Sequence, residues 1–131
     1  ARHEYTTICA TMLANKLAAL ALSPEVRLRL LSRTRQYIRN GYPILEKWMA
    51  SNPGLFSLTP PDAAAIAFPR YHLDINSIDF VDKLRIEKSV LMVPGDHFGQ
   101  DHHLRISFGL PPEYLLEALG RAKDLIEKLR E

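Results

Sequence analysis

The chain has 131 residues, the size of one ordinary domain, of which 47% are hydrophobic and 24% charged. Its 17 Lys and Arg against 15 Asp and Glu leave a formal net charge of +2, too balanced for wholesale binding of nucleic acid or an acidic membrane. The single cysteine, Cys9, excludes an internal disulfide and reads as a small buried apolar residue, and no run reaches the roughly 18–20 apolar residues of a membrane helix. Arg2 and His3 are followed at once by Glu4, and no clear cleavage site follows Leu22, which is unlike a signal peptide. A cytoplasmic location is therefore expected.

In chain order, a first helix is expected from about Glu4 to Leu22. Ile8, Met12, Leu13, Leu17, Ala18, Leu20 and Ala21 make it apolar on nearly every face, so it wants cover on several sides. Ser23-Pro24-Glu25 is a helix start: Ser23 can cap, Pro24 suits the first position, and Glu25 suits the positive end of the dipole. The second helix should run from Pro24 to about Ser51, with Val26, Leu30, Tyr37, Ile38, Leu45 and Trp48 along its apolar stripe. Gly41 and Pro43 predict a kink or break near residues 40–43.

Leu55–Leu58 and Ala63–Phe68 read as short strands around the Thr59-Pro60-Pro61-Asp62 turn, the second closed by Pro69. Ser77–Lys88 is a helix with Ile78, Phe80, Val81 and Leu84 inward. Ser89–Val93 and His103–Phe108 are further strands. Gly109-Leu110-Pro111-Pro112-Glu113 opens a last helix, with Leu115, Leu116, Leu119, Ala122, Ile126 and Leu129 on one face. The order predicts an α+β fold: a small, mainly antiparallel sheet with helices on one face, preceded by a long helix.

Two stretches carry candidate chemistry. Between Asp96 and His103, three histidines and two aspartates fall within eight residues, which raises the possibility of a metal site. No spacing matches a standard zinc site, and neighbouring strand residues such as His102 and His103 point to opposite faces, so no metal ligand is assigned. Arg105 lies mid-strand between Leu104 and Ile106. A charge there needs an anionic partner or water. From the strand alone, an internal salt bridge or an edge position reaching solvent competes with a bound carboxylate, which arginine's planar fork grips in a way lysine cannot. Arg27, Arg29, Arg33, Arg35 and Arg39 spread around their helix rather than lining one face, which reads as a solvated surface and not a nucleic-acid stripe.

Val93-Pro94-Gly95-Asp96-His97-Phe98-Gly99, followed by Leu104-Arg105-Ile106-Ser107-Phe108-Gly109, is similar to the C-terminal signature of class I/II aminotransferases of fold type I. That signature is a Pro-Gly-x-x-Phe-Gly loop and then a strand with Arg in an Arg-[Ile/Leu]-Ser setting. The resemblance implies that residues 1–22 are a remnant helix of the large cofactor domain. It also implies that residues 23–131 are the small domain with its long interdomain helix. By position, Arg105 would hold the substrate's α-carboxylate.

The parent would use pyridoxal 5′-phosphate, act on amino acids and 2-oxo acids, and work as a homodimer. The family's cofactor lysine lies in a Ser-x-x-Lys-type loop that has no match here. Lys16, in a helical Ala-Asn-Lys-Leu-Ala setting, reads as a solvent-facing residue. The resemblance therefore implies no catalytic or cofactor-binding residue in this chain, no bound cofactor and no activity alone. Two alternatives are an interaction module on the same scaffold and a parent that is a lyase or synthase using the same cofactor.

Overall fold

The computed structural model describes residues 10–130. The chain divides into two compact units, residues 1–35 and 36–131.

In the first unit, helix α1 spans Met12–Leu22. It starts later than the sequence pattern predicts. Thr11 is extended, and its hydroxyl accepts the Ala14 N–H at 3.2 Å, so the cap fixes the start. The expected residues Glu4–Cys9 of this helix lie outside the described residues. No residue of α1 is buried; Met12, Leu13, Leu17, Leu20 and Leu22 are exposed, and so is Lys16. Ser23 does not cap the next helix with its side chain. Its hydroxyl turns back to donate to the Leu20 carbonyl at 2.7 Å and closes α1 instead.

Helix α2 spans Pro24–Ala50 without the break expected near residues 40–43. Pro43 has no N–H for the preceding turn, but its ring already holds a helical φ, and the flanking turns carry the helix through. Gly41 is buried because the Phe108 carbonyl packs directly on it, where a Cβ would collide. Arg27, Arg29, Arg33, Arg35 and Arg39 are all exposed.

The second unit carries five short strands: β1 (Phe56–Ser57), β2 (Ile66–Ala67), β3 (Arg70–Tyr71), β4 (Val93–Pro94) and β5 (Leu104–Ser107). All pairings are antiparallel. β1 pairs with β3, and β5 lies between β2 and β4, with a bridge from Arg70 to His103 linking the two ladders. β1, β2, β4 and β5 are shorter than their sequence segments, β4 running onto Pro94, and β3 is not expected from the sequence. Residues 62–65 bend, with Ala64 at φ 69°, and Ser89 is the left-handed cap that ends a helix. β3 follows Pro69, which closes no sheet edge: its carbonyl accepts the Leu104 N–H at 3.0 Å and keeps the ladder going.

Helix α3 spans Ser77–Lys88 and α4 spans Pro112–Arg130. Phe80, Val81 and Leu84 of α3 and Leu115, Leu119, Ala122, Leu125 and Ile126 of α4 pack with Leu104, Ile106 and Phe108 in one core. Two expected core positions face outward: Ile78 and Leu116 are exposed, while Leu125 is buried. Leu115, Leu119, Ala122 and Ile126 of the expected α4 stripe are buried as expected. Exposed ion pairs Lys128–Glu87 at 2.9 Å and Lys88–Asp124 at 3.6 Å run between these helices and contribute little. Asn76 caps α3 through its side-chain oxygen, 2.9 Å from the Asp79 N–H. Asn76→Ala should destabilise the unit by about 1 kcal/mol in a urea titration, through the lost cap.

Candidate functional site

β5 is bonded on both edges, so its backbone is the most firmly registered strand of the sheet. Leu104 and Ile106 are buried against the helices, and the alternation turns Arg105 and Ser107 to the opposite face. There Arg105 is half-buried, opposite Val93 of β4. Among the described residues its guanidinium has no carboxylate within ion-pair distance and no hydrogen-bond partner. The internal salt bridge considered from sequence is absent among them. Arg105 instead borders an open depression of about 290 Å³ whose other lining residues are Ile66, Phe68 and Phe98. A lone cation set in an apolar wall attracts an anion strongly, because little else there can solvate or pair with it.

The wall is built by aromatic contacts. Phe68 stacks on His103, with ring centroids 5.1 Å apart and planes at 18°, and Phe98 meets Phe68 edge-on at 5.8 Å. Phe98 is the last residue of a 3₁₀ turn, Gly95–Phe98, ended by Gly99 in the left-handed conformation. Gly95 sits so close to the Gln100 carbonyl and to His103 that any side chain would collide. Its N–H donates to the His103 carbonyl at 2.8 Å, and its carbonyl accepts the Gln100 N–H at 3.0 Å. The Pro-Gly pair therefore folds the turn onto the start of β5, and Phe98 arrives beside Arg105.

Asp101 fastens the same corner. Its Oδ1 accepts the Ser77 N–H and the His102 N–H, both at 2.7 Å. These two N–H groups, Ser77 first, hold its carboxyl below the ordinary carboxylate range. Because its folded value is depressed, Asp101 favours the folded state above the ordinary value of 3.8. That contribution is lost as pH falls from there through the depressed value. Thermal melts between pH 5 and pH 2 should show an acid-labile component that Asp101→Asn removes.

The histidines do not converge. His102 Nδ1 lies 3.4 Å from Asp101 Oδ2, His103 Nδ1 lies 2.9 Å from the Asp101 carbonyl, and His72 Nε2 lies 2.8 Å from Ser57 Oγ. Among the described residues no three His, Cys, Asp or Glu side chains gather as metal ligands. Sequence reasoning found Arg105 and the loop. It missed Ile66, Phe68 and Asp101, which no local motif marks; the alternation of β2 could have placed Ile66 on the face of Arg105.

An α+β unit whose central strand presents one arginine beside a Pro-Gly-x-x-Phe-Gly turn defines the class. The chain belongs to the family described as aminotransferase class I and II, which it matches over residues 5–121. Capreomycidine synthase of Streptomyces vinaceus is 31% identical over 117 residues, covering 89% of this chain and 30% of that protein. The probable aspartate aminotransferase of Methanocaldococcus jannaschii is 32% identical over 132 residues, covering 95% of this chain and 32% of that protein. The chain thus spans about a third of the length of the curated relatives it matches.

Among solved structures, a PLP-dependent aminotransferase from Streptococcus suis 89-1591 superposes with a TM-score of 0.86 at 29% identity, over 96% of this chain and 33% of that one. The PLP-dependent cyclase OrfR superposes with a TM-score of 0.80 at 26% identity, over 95% of this chain and 33% of that one.

Pyridoxal phosphate is the cofactor of this family. It needs a lysine for its aldehyde and donors for its phosphate. Lys83, Lys88, Lys123 and Lys128 each lie beside a carboxylate, Lys16 and Lys47 are exposed, and no lysine lines the depression beside Arg105. The described residues do not supply that lysine beside the depression; the cation they place there is Arg105.

Proposed function

We propose that this chain is the C-terminal part of a PLP-dependent aminotransferase that moves an amino group from an amino acid to a 2-oxo acid. In that enzyme, working as a homodimer, Arg105 holds the substrate's α-carboxylate. The observation that carries the reading is Arg105 itself: half-buried, unpaired among the described residues, and fixed on a doubly bonded strand next to the Phe98 turn. A two-point grip on a planar carboxylate removes its rotation and fixes the directions of the bonds at the α-carbon. The apolar wall of Ile66, Phe68 and Phe98 thins the water around the pair, which strengthens it. The exposed apolar side chains of α1 are the surface on which the rest of the enzyme packs, since isolated patches of this kind mark contacts.

The test is Arg105→Leu in the full-length polypeptide that carries this chain, read as kcat/KM for amino acids. Unchanged kcat/KM would remove Arg105 from the site. A second reading draws on the likeness to capreomycidine synthase and to the cyclase OrfR: a parent that uses the same carboxylate grip for a lyase or cyclase reaction. Formation of a new amino acid from an added 2-oxo acid separates the two.

A further inference from the structure

We infer that Asp101 is a positioning residue for the carboxylate site, acting through the turn that starts β5; this rests on the role proposed for Arg105. His102 is held at φ 58°, a left-handed value uncommon outside glycine. The Asp101 Oδ1 acceptor meets the His102 N–H on one side of that turn and the Ser77 N–H on the other. Ser77 is fully buried and opens α3, whose Phe80, Val81 and Leu84 are core residues.

The same serine accepts the Asp96 N–H on its Oγ at 3.1 Å, and Asp96 lies in the turn that carries Phe98. Two side-chain oxygens thus tie this corner to a core helix: Asp101 Oδ1 holds His102, just before β5 and Arg105, and Ser77 Oγ holds the turn bearing Phe98. The ladder already reaches His102, whose carbonyl accepts the Tyr71 N–H at 2.8 Å, and it continues where the Leu104 N–H meets the Pro69 carbonyl. With the Asp101 acceptor gone, His102 relaxes toward φ below zero and Arg105 shifts relative to Phe98, whose turn Ser77 Oγ still holds.

Both bonds fall on Oδ1, and an amide oxygen in the same place can accept them, so for positioning the place of the acceptor matters more than its charge. This predicts an order of variants in the full-length polypeptide. The substrate is the best donor among the twenty proteinogenic L-amino acids, compared with the carboxamide of the same amino acid. Asp101→Ala should raise KM for the amino acid about tenfold with kcat within about twofold, the size expected for misplacing one orienting contact.

Discrimination against the carboxamide, which presents no carboxylate, should fall by a similar factor. Asp101→Asn keeps Oδ1 in place and should restore both values. Asp101→Glu keeps the charge but moves the acceptor by one methylene and should behave like Ala. If Asp101→Ala does not fold, the Asn and Glu pair decides alone.

The inference is overturned if discrimination stays at the wild-type level in Asp101→Glu, or if Asp101→Asn is as impaired as Glu. Equal losses on amino acid and carboxamide also overturn it, because they mark general damage to the fold. Arg105→Leu run beside these variants keeps the two ideas apart. If that variant loses discrimination while every Asp101 variant keeps it, only the positioning role fails; if it keeps discrimination, the role of Arg105 fails first.

Discussion

Arg105→Leu in the full-length polypeptide should lower kcat/KM for amino-acid donors by about thirtyfold or more. Removing one partner of a desolvated, bidentate charge pair costs about 2–5 kcal/mol, and each 1.4 kcal/mol is tenfold. The loss should fall on the carboxylate: discrimination between an amino acid and its carboxamide should collapse. The fold should survive, since Arg105 is half-buried and borders Ile66, Phe68 and Phe98, among which a leucine side chain is at home. Thermal melts unchanged within a few degrees, together with the kinetic loss, would separate binding from stability. Arg105→Lys keeps the charge without the planar fork and should recover only part of the affinity. Equal kcat/KM for the Leu variant and the wild type would sink the role.

Gly41→Ala should be the most destabilising small change in the second unit. Two effects oppose one another. Alanine inside a helix is favoured over glycine by about 1 kcal/mol. The added methyl, however, would run into the carbonyl of Phe108, and backbone in a packed core yields less readily than a side-chain tip. Phe108 is itself buried, and its N–H is bonded to the Ala65 carbonyl at 2.8 Å, so the β5 end cannot retreat without breaking that bond. The collision wins, with a net loss of about 2–3 kcal/mol expected from a urea titration. A Gly41→Ala protein as stable as the wild type would show that α2 slides freely past the sheet.

Much of this arrangement was legible in the residues. The long helices announce themselves through periodic apolar positions, and α2 and α3 begin where Pro24 and Ser77 indicate. The Pro94–Gly99 turn and Arg105 were found as a motif, because a tight turn restricts its residue types and a mid-strand arginine stands out in an apolar run. The strands were legible only as segments. Ala63–Phe68 has the composition of one strand, yet just Ile66 and Ala67 pair, because Ala64 turns to a positive φ that no local pattern predicts. β3 was missed since Pro69 looks like a stop, whereas its carbonyl is what the ladder uses.

The sequence by itself determined the class of element at most positions, the α+β order and the family. These depend on local propensity, periodicity and a motif whose glycines and proline have few substitutes. Strand alternation already set Arg105 opposite Leu104 and Ile106; the tertiary structure alone decided that it stands unpaired among the described residues beside Ile66, Phe68 and Phe98, and that Asp101, close in sequence to His102 but 24 residues from Ser77, ties the corner together. The reason is physical: a strand's partners and a side chain's neighbours come from distant segments brought together by core packing. No window of adjacent residues contains that information.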